Sequence, residues 1–340
     1  MTTTMAGTDA AIRSQIIDAI RSRQRFVLSS HVRPDGDAIG SQLAMAYALR
    51  ALGKDVRLLN RDPAPSNLAD FPGVGDIQVC DRTDDPGDAV IVMECGDIGR
   101  TGVAGLDRGY VINIDHHVGN TMYGALNWFD GSAAACAEMV WDLIVDLGVP
   151  ITTAIATHIY VAIVTDTGSF HYSNISPRTF DICRQCMVAG IEPTPIARTL
   201  FDSNSLGRLK IFGAVLNDMR IDPSGRVATI VLDRALAAAC HATAEDTEGL
   251  VNQPLTVKTI QAVAFFKEIG DGDWRVSLRS KGHVNVNSVA KVYGGGGHTN
   301  ASGCSATGQL AALVPVFERA LIEQVEQAWT ASSSSTNQKG

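Results

Sequence analysis

The sequence predicts an α/β protein of two domains, an N-terminal one built on a largely parallel sheet and a smaller C-terminal one. Three observations predict this. Between residues 20 and 190, apolar β-branched segments alternate with segments of helical period, the pattern of parallel strands covered on both faces. Beyond residue 220 a second set of strands and helices follows. At 340 residues the chain exceeds what one hydrophobic core ordinarily organises.

Taken in order, residues 1–19 read as an N-terminal extension. In the domain at 20–190, Phe26–Ser29, Val56–Leu59, Ala89–Met93 and Val111–Ile114 read as strands, and Ala38–Leu52, Ala134–Leu147 and Thr152–Val164 as helices. Residues 191–220 read as a helical connector. In the domain at 221–328, Arg226–Leu232, Val257–Glu268 and Trp274–Arg279 read as strands, with helices near Asn287–Val292 and Leu310–Trp329. The serine-rich end, 329–340, reads as a disordered tail. There is no internal repeat.

Composition narrows the function. No apolar run reaches the ~18 residues of a membrane span, and the start lacks a basic region leading into an apolar core, so a cytoplasmic location is expected. Seven scattered cysteines argue against a disulfide framework. Cys183 and Cys186 have metal or redox spacing but no second pair, and they sit in a helical segment. The formal charge of −8 speaks against a long nucleic-acid track, which gains affinity by neutralising many phosphates. A short or mononucleotide-sized substrate fits better. From Leu255 to Cys304 six basic residues nonetheless face three acidic ones.

The chemistry concentrates where apolar segments end. After Phe26-Val27-Leu28 come His31, Asp35 and Asp37, one imidazole and two carboxylates at the carboxyl end of a strand, where open α/β sheets bind ligands. Gly36 lets the backbone turn tightly so that each carboxylate faces a different ion. As a bare turn, Asp-Gly-Asp would instead put an N-cap at Asp37. The second segment, ending Ile114-Asp115-His116-His117, tips the balance, because an Asp beside two His suits a ligating imidazole oriented by a carboxylate. Glu94 and Asp97 follow a third segment and Asp166 a fourth. Four apolar segments ending in ionisable groups predict a shared dinuclear metal centre, since such groups are rarely left there unpaired. Near the other end, Gly294-Gly295-Gly296-Gly297 is followed by His298, Asn300 and Ser302, which reads as a loop cradling an anion or nucleotide.

These motifs, in this order, resemble the DHH phosphoesterase superfamily: the His31-Asp35-Asp37 loop, Asp115-His116-His117 and Thr165-Asp166-Thr167-Gly168. Tyr293 to Gly303 resembles the glycine-rich motif of the DHHA1 domain. The resemblance spans roughly residues 20–325, and the plain two-domain arrangement is most similar to the oligoribonuclease (nanoRNase) and 3′-phosphoadenosine-5′-phosphate phosphatase group. RecJ exonucleases share the core but carry domains for which this chain has no room.

The resemblance implies a cleft between the domains, with metals on one wall and the glycine-rich motif on the other. It implies that His31 and Asp35 hold one ion, that Asp37, His116 and Asp166 hold the other, and that Glu94 bridges both. Most DHH proteins have Asp at that bridge, and Asp97 is the rival for it. Asp115 would orient His116, and His117 would contact the scissile phosphate or assist the leaving group. Arg279, with Gly295, Gly296, Gly297, His298, Asn300 and Ser302, would hold substrate. Mixed carboxylate and imidazole ligands suit Mn²⁺, with Mg²⁺, Fe²⁺ or Co²⁺ as alternatives.

The implied reaction is hydrolysis of short RNA to nucleoside 5′-monophosphates and of 3′-phosphoadenosine-5′-phosphate to AMP, by a water activated between two metals. The alternatives are cleavage of cyclic dinucleotides or linear pApA-type products, a nucleotide-sensing module with a decayed site, and a family II inorganic pyrophosphatase. The near-complete ligand motifs disfavour the second and the glycine-rich motif the third. No obligate protein partner is evident, and the oligomeric state, a homodimer included, stays open.

Overall fold

The computed structural model describes residues 3–243 and 245–336 and divides into two compact units, one ending at Ser203 and the other beginning at Asn204. In the first unit the order is α1 (Thr3–Ser22), β1 (Arg25–Ser29), α2 (Gly36–Ala51), β2 (Asp55–Asn60), β3 (Ile77–Val79), β4 (Ala89–Met93), β5 (Val111–Asp115), β6 (Leu126–Phe129), α3 (Cys136–Asp146), α4 (Thr153–Asp166), α5 (Pro177–Val188) and α6 (Pro193–Phe201). All six strands are parallel, in the order β3-β2-β1-β4-β5-β6. The order reverses between β1 and β4. In a sheet of this kind that switch point, at the carboxyl ends of the strands, is where ligands are received.

Strand β4 is buried along its whole length, as expected for a central parallel strand with both faces covered. Helix α1 packs into the core of the first unit. Ile16 and Ile20 of α1 are fully buried in the same core as Trp128 of β6, because their i, i+4 spacing gives the helix one apolar edge to dock. The connector also divides: α6 falls in the first unit, tied to it by Asn67 Nδ2 donating to the Leu200 carbonyl.

Two glycines explain how the first unit focuses its chemistry. Gly36 is the first residue of α2 and not a left-handed turn, which corrects the turning role expected of it. A Cβ there would run into the Thr165 side chain, and one on Gly40 would stand 2.5 Å from the His158 carbonyl oxygen and 2.8 Å from Ala162 Cβ. The backbones of α2 and α4 thus meet closely, and the start of α2, with Asp37, lies against the end of α4, with Asp166.

The second unit runs α7 (Leu206–Asn217), β7 (Arg220–Ile221), β8 (Val227–Leu232), α8 (Arg234–Ala239), β9 (Ala262–Gly270), β10 (Asp273–Ser280), α9 (Val286–Val292), β11 (Gly296–His298), β12 (Ala301–Thr307) and α10 (Leu310–Thr336). Its mixed sheet has the order β11-β12-β10-β9-β8-β7, with β8 and β9 parallel and the other pairs antiparallel. Three expectations are corrected here. The strand expected from Val257 starts at Ala262, because Leu250–Thr256 winds into a 3₁₀ helix containing Pro254. The glycine-rich run is not a loop throughout but enters a hairpin of β11 and β12. The expected tail is helical to Thr336, with residues 337–340 outside the described residues. Val314, Phe317, Leu321 and Val325 are buried at helical spacing on α10, and a helix so anchored carries its following turns with it.

Candidate metal centre

Asp35 caps α2, its Oδ1 accepting from the backbone N–H groups of Asp37 (3.1 Å) and Ala38 (3.0 Å). The bare-turn reading had put that cap at Asp37. Asp37 instead turns inward and is fully buried. Its Oδ1 accepts from Ser41 Oγ (2.8 Å) and Ala137 N (3.1 Å), and its Oδ2 from Cys136 N (2.6 Å). Cys136 and Ala137 open α3, so the unpaired N–H groups and positive end of that helix hold the carboxylate.

Glu94 follows β4 directly. Its N–H still bonds the Ile114 carbonyl at 3.1 Å, but its φ of +56° is left-handed. Such strain in a residue with a side chain persists only where its surroundings fix it. The side chain is buried, with Oε1 3.3 Å from His116 Nε2 and 3.4 Å from His117 Nδ1. Its other oxygen, Oε2, is buried without a hydrogen-bond partner.

His116 gathers the cluster. Its Nδ1 donates to the Ala133 carbonyl at 3.0 Å, which turns Nε2 toward Glu94 Oε1 at 3.3 Å, Asp166 Oδ2 at 3.5 Å and Asp37 Oδ2 at 3.9 Å. Asp37, Glu94, His116 and Asp166 offer ligand atoms all within 4.8 Å of one another. His31 and Asp35 form a pair of their own, with Nε2 3.9 Å from Asp35 Oδ2 and Nδ1 donating to the Val32 carbonyl. Asp97 stands apart: it caps the turn at 98–101, accepting from Gly99 N at 2.8 Å.

The electrostatics follow from crowding. Burial pushes the Glu94 carboxyl well above its usual range, reinforced by the Asp37 charge. Burial and Asp37 push Asp166 up to about 7, and Asp37 itself is raised by burial. Burial opposes a charge on His116, but the bond to Glu94 and the charges of Glu94 and Asp37 override it and raise His116 to about 10. Two buried carboxylates and a partly exposed third around the Nε2 of one imidazole, with an unpartnered Oε2 among them, form a donor set short of cations. It fits a divalent ion bound by oxygen and nitrogen.

Asp115 does not orient His116, which corrects the expected pairing. It ends β5 and, two residues on, its Oδ1 accepts from His117 Nδ1 at 2.9 Å. Side chains at i and i+2 share a face of extended backbone, so the carboxylate reaches the second histidine and not the first. Asn120 Nδ2 donates to the other oxygen of Asp115 (2.6 Å) and to Asn113 Oδ1 (2.8 Å). Burial works against the Asp115 charge, yet the bonds from His117 and Asn120 hold its carboxyl below the ordinary value. Sequence reading missed Asn120, the Ala133 carbonyl and the Cys136 and Ala137 N–H groups. Main-chain donors and acceptors carry no residue signature, and Asn120 follows no period.

In the second unit, half-buried Arg279 donates from Nη1 to the Leu278 carbonyl. His298 is exposed at the end of β11. Asn300 and Ser302 do not converge on a cradle. Asn300 Nδ2 reaches Ser280 Oγ (2.9 Å) and the carbonyls of Gly282 (2.9 Å) and Val284 (3.2 Å), while Ser302 Oγ donates to the His298 carbonyl at 2.7 Å. Gly295 and Gly297 lie so close to the β12 backbone that a Cβ would collide with Gly303 or Ala301, while Gly296 faces open space. The hairpin is thus tied by its own polar groups. Asn300→Ala is expected to lower the melting temperature by an amount corresponding to about 1–3 kcal/mol, read by thermal denaturation, without changing bound metal.

Residues 25–163 match the model of the DHH family, N-terminal domain, and residues 233–327 that of the DHHA1 domain. The chain is 34% identical to the bifunctional oligoribonuclease and PAP phosphatase NrnA of Thermus thermophilus, over 83% of this chain and 84% of that protein. The chain belongs to the DHH family. The NrnA of Bacillus subtilis is 28% identical over 86% of this chain and 93% of its own length. An exopolyphosphatase-related protein from Bacteroides fragilis superposes with a TM-score of 0.85 at 29% identity, covering 92% of this chain and 96% of the other. Among the described residues no helix is long and apolar enough to cross a membrane.

Within this DHH domain, Asn120 is placed to hold Asp115 and through it His117. Asn120→Ala is expected to lower phosphoester turnover about 10–100-fold while bound metal stays unchanged. Steady-state kinetics beside elemental analysis checks this.

Proposed function

We propose that this DHH protein hydrolyses short oligoribonucleotides to nucleoside 5′-monophosphates and 3′-phosphoadenosine-5′-phosphate to AMP, using divalent ions of which Mn²⁺ suits the ligands best. The supporting observation is the largely buried Asp37-Glu94-His116-Asp166 cluster at the carboxyl ends of β4 and β5, in a chain similar over most of its length to proteins named for those two activities. These four residues would hold one ion, His31 with Asp35 would hold a second, and Glu94 would be the carboxylate shared between them. The ions, when bound, lower the pKa of water and neutralise charge that develops on phosphoryl oxygens.

The chain's own groups do the rest. Ala133 and Val32 fix the tautomers of His116 and His31, leaving each Nε2 as the ligating atom. Asp115 fixes Nδ1 of His117, whose side chain is 42% exposed, so its Nε2 can reach a phosphate or hand a proton to the departing oxygen. In the DHHA1 domain, Arg279 is half-buried, and desolvation is what perturbs it. Such a cation gains from an anionic partner, which a substrate phosphate supplies.

The test is a turnover panel in Mn²⁺: RNAs of two to five and of thirty nucleotides, 3′-phosphoadenosine-5′-phosphate, pApA, a cyclic dinucleotide and pyrophosphate. The expected result is faster release of mononucleotide from the short RNAs than from the long one, with AMP from the bisphosphate, because an acidic chain has little to gain from added phosphates. Preferred cleavage of the cyclic dinucleotide would move the reading to that class, and faster digestion of the long strand toward RecJ-like exonucleases. Arg279→Ala and His298→Ala are expected to impair substrate use, in kcat, KM or both, with bound metal unchanged. Lost metal with intact substrate affinity would remove these residues from the substrate-binding set.

A further inference from the structure

The loop after Asp166 holds Gly168, Ser169 and Phe170 at φ of 55°, 58° and 65° in succession, a left-handed run that residues with side chains rarely adopt. Conformations of this kind cluster at ligand clamps and need their surroundings to impose them. The surroundings here do so. Thr167 accepts from Phe170 N through its Oγ1 (3.1 Å) and from His171 N (2.9 Å) and Tyr172 N (3.0 Å) through its carbonyl. Phe170 stacks on Phe180 at 5.2 Å. Asn174 Nδ2 donates to the Ala134 carbonyl at 2.8 Å, next to the residue that orients His116. The loop is therefore fastened to the metal centre at both ends.

This construction presents an aromatic ring. One face of Tyr172 covers Gly168 so closely that a Cβ there would enter the ring. The residue is nevertheless 56% exposed, and the His171 ring stands edge-on to it at 6.3 Å. The ring is braced from below and open above, six residues from Asp166.

We propose that Tyr172, seated on Gly168 and flanked by His171, is a stacking platform for a nucleobase of the substrate. The proposal rests on the nucleotide-hydrolase reading above and deepens it, naming substrates that carry a base rather than bare phosphoesters. Every base has a π face, so such a platform favours nucleotides without demanding one sequence.

Calorimetric binding to the full-length protein in Mn²⁺ tests it, with AMP and ribose 5-phosphate as probes. AMP is expected to bind about tenfold or more tightly than its baseless counterpart, a preference largely lost in Tyr172→Ala and retained in Tyr172→Trp. An equal preference in native protein and Tyr172→Ala would overturn the platform, as would no preference in the native protein. Base-dependent binding that Tyr172→Ala abolishes, in a protein that releases no mononucleotide from RNA, would support the platform and overturn the hydrolase reading.

Discussion

Replacing His116 with alanine is expected to lower turnover by about 10³-fold or more, because a Lewis-acid contribution of several kcal/mol is lost at tenfold per 1.36 kcal/mol. Outside the carboxylate cluster the imidazole bonds the Ala133 carbonyl, so the fold should survive, with circular dichroism as the control. Asp37→Ala should lose as much activity but differ in stability. Removing this carboxylate strands the Cys136 and Ala137 N–H groups at the start of α3, each costing about 1–3 kcal/mol when buried and unmade. In metal-free protein the loss is partly offset, since Asp37 raises the carboxyls of Glu94 and Asp166 and its removal relieves that crowding. Both variants should lose the rise in melting temperature that Mn²⁺ gives the native protein. Near-normal hydrolysis in either would contradict the metal centre.

The second large effect concerns Glu94. Glu94→Ala is expected to lose bound metal and nearly all activity, Glu94→Asp to keep measurable activity, and Asp97→Ala to cost less than either ligand deletion. The reasons are geometric. Glu94 places one oxygen within 3.4 Å of both His116 and His117 and leaves the other unpartnered, whereas Asp97 spends its carboxylate on the turn at 98–101. Shortening Glu94 withdraws the carboxylate by about one C–C bond, roughly 1.5 Å, which retunes a ligand without deleting it. Elemental analysis with kinetics decides. A metal site emptied by Asp97→Ala but not by Glu94→Ala would reverse the assignment.

Much of this architecture is written in local pattern. The strands at 89–93 and 111–114 are legible because parallel strands buried on both faces read as unbroken apolar runs, and their ends point to Glu94 and to Asp115-His116-His117. Asp166 was legible as a carboxylate ending an apolar segment, here the last residue of α4. Partner choice is less legible. That Asp115 holds His117 depends on strand alternation persisting past β5, and that Ala133 holds His116 depends on main chain that no residue type marks. The glycine-rich run misled because glycine suits both an open loop and a hairpin whose strands approach closely. Only the β12 backbone beside Gly295 and Gly297 distinguishes them. The end of α10 misled for a similar reason: serine-rich composition suggests disorder, while the apolar edge from Val314 to Val325 anchors the helix before it.

The central claim is that Asp37, Glu94, His116 and Asp166 are ligands of one divalent ion. Anomalous diffraction at the manganese edge from crystals of the full chain grown with Mn²⁺ tests it most directly. The account predicts a peak bonded to Asp37, Glu94 Oε1 or Oε2, His116 Nε2 and Asp166. A manganese peak elsewhere in the molecule, with these four side chains bonded to none, would contradict it.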